Sequence, residues 1–451
     1  MKRLFFWIGV IGIYLLPACD ETDNGSAPVS LKECEIEPIH GGAVISYNIP
    51  KDGNVMYVMA EYKRNGKMFT ERSSIHYNWL TIEGFHTTDL VDVKLYTVSK
   101  KEVRSESALT VSFVPLESPL SLAFKSLRII TGFGGVIAYW DNQTKTELGV
   151  RLMTDSIDRH DKKHWVEKNM YFSRIHPEKH PFRGFDTITY NFAISMTDKW
   201  GNISDTLVHT CKPYFERMTP KPFSRKVFNP SAADPPSDPI VPFDQNTQPY
   251  NGDGNLSFFQ LSDKITIDPG GSGANSWMTN SRLDRQACFT LDFEDTYKLS
   301  RMILWSRMRR ETGFVTDVYQ ANNVLSFEIW GTDEPFDNWP ITDKGYWLDE
   351  FSFKDPQFNS GGVQISSPNF KDHWQYFGQL FEVPRYDKMG YSESDIRDLR
   401  DAGWEFDFDP DLKPVRYIRF FVRSTDKGSP SPGAFFQISE LSFFGDNTFK
   451  K

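Results

Sequence analysis

Before residue 390 no stretch of this chain carries apolar residues at the three-and-four spacing of an amphipathic helix. Apolar and polar residues instead alternate in short runs bounded by Gly, Pro, Asn and Asp. Ala43–Tyr47, Val55–Lys63, Gly135–Trp140, Thr187–Met196, Phe289–Phe293, Leu299–Trp305, Phe327–Gly331, Arg416–Val422 and Gln437–Gly445 all have this character. The pattern predicts an all-β chain. At 451 residues it is too long for one core, and roughly two to four domains are expected. Asn65-Gly66 is a hairpin signal, as is the turn Asp198-Lys199-Trp200-Gly201-Asn202. The one helix expected spans 392–403, from Ser392 at the N-cap through an acid at N3 to a Gly403 stop, with Ile396, Leu399 and Ala402 packed down and the charges in solvent.

The N-terminus reads as a targeting segment. Lys2 and Arg3 precede the apolar stretch Leu4–Leu16, which has secretory length and is short of the roughly 20 residues a bilayer span needs. It closes on Leu16-Pro17-Ala18-Cys19. This resembles the lipobox of bacterial lipoproteins, with Pro17 where the pattern has a small residue, and implies lipidation at Cys19. The acidic run after Cys19 resembles the surface-export signal of Bacteroidetes lipoproteins. The expected location is therefore the outer membrane, facing the exterior through a lipid anchor. Cys34, Cys211 and Cys288 remain; three thiols cannot all pair, and small buried apolar roles are expected, with a Cys34–Cys211 bridge as the less favoured alternative.

After a signal peptide (1–19) and tether (20–29), two units of similar size are expected at 30–115 and 116–213. The run Leu80-Thr81-Ile82-Glu83-Gly84-Phe85 leading into Val91–Val98 resembles the E–F corner of fibronectin type III domains. Gly135–Trp140 and Thr187–Met196 resemble the B and F strands of the same fold. Nine prolines between 213 and 249 predict an extended linker over 214–254. The last domain, 255–451, holds seven of the twelve tryptophans. Its motifs run Asp268 through Gly273, Trp277-Met278-Thr279, Phe289–Phe293, Leu299–Arg307, Phe327–Gly331, Arg416–Val422 and Ile438–Gly445. In that order they resemble the discoidin (coagulation-factor 5/8 type C, galactose-binding-like) family, which implies an antiparallel jelly roll. Residues 335–412 read as an insertion in it.

Sugar recognition takes a flat apolar face for the ring and a few fixed polar groups for the hydroxyls, which Trp, Tyr, Arg, Asn and Asp supply. The discoidin resemblance places ligands on loops at one end of the sandwich. Carried onto this sequence it implicates Trp277, Arg307, Tyr319, Asn322, Asn323 and Phe435. Trp305 and Trp330, within strands, read as core, and the insertion's Trp339, Trp347, Trp374 and Tyr376 read as buried more readily than as a binding surface. The family's structural calcium would fall between Asp268 and Glu440, and no cofactor is otherwise required. His160/His164 and His176/His180 stand four apart, but in polar segments that suit a solvated hairpin better than a metal-binding helix.

A net charge of −9 opposes a nucleic-acid partner, which would need a basic stripe. Neither a Gly-x-Ser-x-Gly elbow nor a His-Glu-x-x-His motif occurs, and no enzymatic activity is expected. The lipid anchor, paired fibronectin-like units and discoidin-like end together resemble Bacteroidetes lipoproteins of polysaccharide-utilisation systems. That resemblance implies non-catalytic capture of polysaccharide or glycoprotein glycan at the cell surface, with an outer-membrane glycan importer and glycosidases as partners. The alternative is a protein-binding adhesin or scaffold.

Overall fold

The computed structural model describes residues 25–160, 162–173, 179–221, 223–225, 277–278, 288–307, 318–319, 323–340, 343, 345–347, 365–426 and 436–448. Two compact units emerge, one of Met1–Ile129, Ala138–His180 and Asn191–Thr210, the other of Ile130–Ile137, Pro181–Tyr190 and Cys211–Lys451. The chain is all-β, as the alternation predicts.

The first seven strands are β1 (Cys34–Ile39), β2 (Gly42–Tyr47), β3 (Val55–Arg64), β4 (Lys67–Ser74), β5 (Trp79–Glu83), β6 (Val91–Ser99) and β7 (Leu109–Phe113). They form a three-stranded sheet β1-β2-β5 and a four-stranded sheet β4-β3-β6-β7. Alternate residues of both, among them Ala43, Ile45, Val58, Ala60, Leu80, Ile82, Val93 and Leu95, meet in one core. Asn65 (φ 47°) and Gly66 (φ 75°) turn β3 into β4 with two left-handed residues, the turn that matches strand twist. At the end of β5 a glycine is obligatory. Gly84 has φ 94°, and a Cβ there would meet the Trp200 ring at 2.7 Å. Trp200 belongs to the 198–202 turn, whose Asn202 amide donates to the Gly84 carbonyl (3.0 Å) and accepts from Asn65 (3.0 Å).

The next seven are β8 (Arg128–Gly132), β9 (Gly135–Tyr139), β10 (Leu148–Ile157), β11 (Lys163–Ser173), β12 (Lys179–Phe182), β13 (Tyr190–Asp198) and β14 (Leu207–Cys211). Their order, β12-β9-β8 and β11-β10-β13-β14, repeats that of the first seven. Before them comes a helix, Pro119–Ser126, where only strands were expected. Ser118 caps it by accepting from the Ser121 N–H, and Pro119 opens its first turn. At eight residues it is too short to show a period, so only its cap was visible in the sequence.

The C-terminal strands are β15 (Arg217–Met218), β16 (Ser224–Arg225), β17 (Trp277–Met278), β18 (Cys288–Trp305), β19 (Val324–Thr332), β20 (Gln375–Tyr376), β21 (Phe381–Glu382), β22 (Trp404–Asp407), β23 (Val415–Thr425), β24 (Gln437–Ile438) and β25 (Glu440–Asp446). The linker expected from 214 therefore starts later, because β15 pairs with β25 and β16 with β18. The two runs Phe289–Phe293 and Leu299–Trp305 are halves of one bent strand. The bend lies at Glu294 (φ 63°), whose N–H donates to the Asp292 carboxylate (2.8 Å). The first half of β18 pairs with β23, the second with β25 and β22. One apolar core serves both halves, with Phe327 stacked on Phe420 (4.5 Å between centroids) and Phe381 (5.2 Å).

The insertion buries most of its described rings, with Tyr376 half-buried. Trp339, Trp347, Phe370 and Trp374 cluster against Tyr417 and Phe421 of β23, while Phe381, Trp404, Phe406 and Phe408 enter the main core. The helix Glu393–Ala402 forms with the expected Ser392–Asp395 capping box and Gly403 stop. Ile396 packs down and Leu399 partly so, but Ala402 is exposed and Arg400, not a solvated charge, is buried beside Asp401 (2.9 Å). Cys34, Cys211 and Cys288 are all free thiols, so the Cys34–Cys211 bridge does not form.

Candidate functional site

The residues singled out in the C-terminal domain converge in part. At the end of β18, Asn323 clamps Arg307 through two backbone contacts, accepting from the Arg307 N–H (2.8 Å) and donating to its carbonyl (2.8 Å). Asn323 is fully buried and also bridges to Gln437, so it positions the loop and does not face solvent. Arg307 is half-buried. Tyr319 is buried too, which removes its ring from direct stacking on a ligand. Its hydroxyl donates to the Pro384 carbonyl (2.9 Å), and burial pushes the phenol up to about 12.

Trp277 pairs its backbone with Ile438 on β24. Asn322, Phe435, Asp268, Cys19 and the His176/His180 pair's first member lie outside the described residues. Glu440 is fully buried with the Lys221 ammonium against its carboxylate. Among the described residues no group of three or more His, Cys, Asp or Glu side chains is placed to hold a metal.

What the sequence reading missed is a graded series of rings running from the core to the surface. Tyr319 stacks on Trp404 (6.2 Å, 24°), Trp404 meets Tyr386 (5.9 Å, 35°), and Tyr386 meets Tyr391 (4.7 Å, 57°). The first two are buried, Tyr386 is half-buried, and Tyr391 is 45% exposed. Trp404 is pinned by its indole N–H on the Ser306 hydroxyl (3.0 Å), next to Arg307. Polar groups flank the outer rings. Arg385 grips Asp387 with two bonds (2.8 and 2.6 Å) and lies over the Tyr319 ring at 4.8 Å. The hydrogen bond from Arg385 holds the Asp387 carboxyl below its ordinary value, so it stays an acceptor. The local signal was the turn Pro384-Arg385-Tyr386-Asp387-Lys388-Met389-Gly390-Tyr391, a Pro- and Gly-bounded segment that brings two tyrosines into contact.

Chemically the arrangement offers two adjoining, mutually tilted rings, the outer one exposed, with an arginine fork and a carboxylate bonded to each other in the same turn. No helix among the described residues is long and apolar enough to cross a membrane.

Three family models match consecutive parts of the chain, all of them domains of unknown function: DUF4959 over residues 28–115, DUF5126 over 116–222 and DUF5000 over 269–445. No curated protein matches. Among solved structures the chain is similar to the SusE-like protein BT2857, with 20% identity and a TM-score of 0.30 over 72% of this chain and 97% of that one. It is similar also to the chicken CNTN1 FN1–FN3 domains (12% identity, TM-score 0.18, 41% of this chain and 66% of that one). A two-fibronectin type-III domain segment from chicken tenascin matches with 12% identity and a TM-score of 0.19, over 42% of this chain and 99% of that one.

Proposed function

We propose that this chain is a non-catalytic surface lipoprotein, anchored at Cys19 to the outer membrane, that captures glycan through the Tyr386–Tyr391 end of its C-terminal domain. The observation that carries the reading is the ring series: its buried members fix the outer pair, and Arg385 with Asp387 stand beside that pair already bonded. A sugar ring laid on Tyr391 meets an aromatic face whose side-chain entropy is largely spent in folding. In this reading a glycan importer and glycosidases of a polysaccharide-utilisation system take the captured chain onward, as the lipobox and export signal of the sequence support. A protein-binding adhesin calls for a continuous apolar patch. Here Arg385, Asp387 and Lys388 share the turn with the rings, which favours sugar.

The test is affinity electrophoresis of the full chain in gels carrying barley β-glucan, arabinoxylan, yeast mannan or soluble starch. Retardation by at least one glycan, lost in a Tyr386→Ala/Tyr391→Ala variant of unchanged melting temperature, supports the reading. Retardation equal in that variant overturns the site, and none with any glycan overturns the function.

A further inference from the structure

A second surface, in the other unit, has the same chemistry in a different form. On the four-stranded sheet β11-β10-β13-β14, Leu148, Val150, Leu152, Phe192, Ile194 and Met196 face the core. The opposite face is set by their neighbours. Gly149 pairs with Phe172 and with Thr197, Arg151 with Met170 and Ser195, and Asp155 with Trp165. Phe172 is 58% exposed and Trp165 is 41% exposed. Both rings keep much of their surface in solvent.

The face is shaped as well as exposed. A Cβ on Gly149 would meet the Phe172 ring at 3.2 Å and the Thr197 methyl at 2.8 Å, so the glycine lets the phenylalanine lie against the sheet. Six positions of β10 separate the two rings, about 20 Å along the strand. Apart from Met170, half-buried opposite Arg151, and Met153, buried opposite Glu167, the ground between them is polar and already bonded. The Arg151 guanidinium donates to Ser195 (3.1 and 3.0 Å) with Glu167 at 4.0 Å, and Asn191 donates to Asp155 (2.8 Å) while accepting from Thr210 (2.6 Å). Charges cancel locally, Arg151 against Glu167 and Lys163 against Asp155.

We infer that this face is a separate binding surface for an extended, uncharged polysaccharide, with Trp165 and Phe172 as its two ring platforms. The occupant follows from three observations. Local neutrality matches hydroxyls and not uronate or sulfate groups. The rings are spaced by several sugar units with fixed hydrogen-bonding groups between them, whereas a protein interface gathers its apolar side chains at the centre. Pairing of a second copy along edge strand β11 is disfavoured by the bulge at Lys168, which stands unpaired between Glu167 and Asn169. The inference rests on the glycan class proposed above, but on a different site.

The test titrates the full chain with cello-, xylo-, manno- and malto-hexaose, and with long β-glucan, arabinoxylan, mannan and starch, using polygalacturonate as the acidic comparator. The inference expects two hexasaccharides per chain, falling to one in Trp165→Ala/Phe172→Ala. It also expects the long glycans to bind more weakly in that variant, which has lost one of its two sites. Both replaced residues are exposed, so the melting temperature should not move; Trp165→Phe, which keeps a ring, should retain most of the binding. One hexasaccharide per chain, unaffected by this pair but lost in Tyr386→Ala/Tyr391→Ala, overturns this surface and leaves the proposed function standing. One hexasaccharide lost only with Trp165 and Phe172 supports this surface and overturns the other site. Binding of polygalacturonate alone, or a dimer that dissociates in the Trp165/Phe172 variant, overturns the inference.

Discussion

Removing one oxygen at Tyr319 separates two consequences of its burial. In Tyr319→Phe the ring keeps its stack on Trp404, but the Pro384 carbonyl loses the hydroxyl that donates to it at 2.9 Å. Losing a buried hydrogen bond and leaving the acceptor behind costs about 1–2 kcal/mol near pH 8. Alkali acts in the other direction. The phenol ionises at its ordinary 10.0 in the unfolded chain and at about 12 in the folded one, chiefly because burial disfavours the phenolate. A group raised in this way stabilises the fold fully below the unfolded value, and that contribution disappears as pH climbs through the folded one. Two units at 1.36 kcal/mol each set the loss at about 2.7 kcal/mol between pH 10 and 12. The phenylalanine variant has no such loss. Wild type should therefore be the more stable protein at pH 8, the two should match near pH 11 (about 1.4 kcal/mol of the loss having accrued), and the variant should lead above it. Tyr346, also raised to about 12 by burial, titrates in both proteins and cancels in the difference. Urea unfolding followed by tryptophan fluorescence at half-unit steps from pH 8 to 11.5 reads the crossing. Curves that stay parallel refute a phenol buried against Pro384, and with it the anchoring of the ring series.

Gly403→Ala places a Cβ 2.6 Å from Ile303 and 2.7 Å from the Trp305 ring at φ 81°, and should cost about 1–3 kcal/mol, read as a lower melting temperature; an unchanged melt refutes that geometry. Lys221→Met leaves Glu440 buried without its ammonium and should cost about 3–5 kcal/mol, much of it recovered in Lys221→Met/Glu440→Met. If the double variant is no better than the single, the ion pair is not what holds that carboxylate. With the Lys221 ammonium already against the Glu440 carboxylate, EDTA should leave the melting temperature unchanged, and a fall reversed by added calcium would refute this.

The fold was legible wherever a local rule decides it. Alternation marked the strands, Asn65-Gly66 its hairpin, and Ser392 with Asp395 its helix cap. It was less legible where a distant partner decides. Phe289–Phe293 and Leu299–Trp305 read as two strands because nothing local says that the chain can pass Glu294 without leaving the sheet; the left-handed residue is held by Asp292, and Asp292 is held by Arg416 on another strand. Likewise the proline-rich stretch from 214 looks like linker, yet its first residues find open edges at β25 and β18 and pair there. Composition describes what a segment prefers alone, and an unpaired sheet edge overrides it.

For the site the same division explains both what was found and what was missed. Arg307 and Asn323 do come together through two hydrogen bonds, and Tyr319 reaches the neighbouring Ser306 only by way of Trp404, but Asn323 and Tyr319 are buried and work as supports. Whether a ring faces ligand or core depends on what the fold lays over it, and that is not encoded within a few residues of the ring. In the proposed site the buried pair Tyr319 and Trp404 nonetheless support Tyr391 through Tyr386. An exposed tyrosine on a free loop would lose rotamer and backbone freedom on meeting a sugar, whereas one resting on Tyr386, itself resting on Trp404, has already lost most of it. The insertion therefore does two things at once: it closes the core with Phe381, Phe406 and Phe408, and through the same short stretch it carries that rigidity out to the one strongly exposed ring in the series.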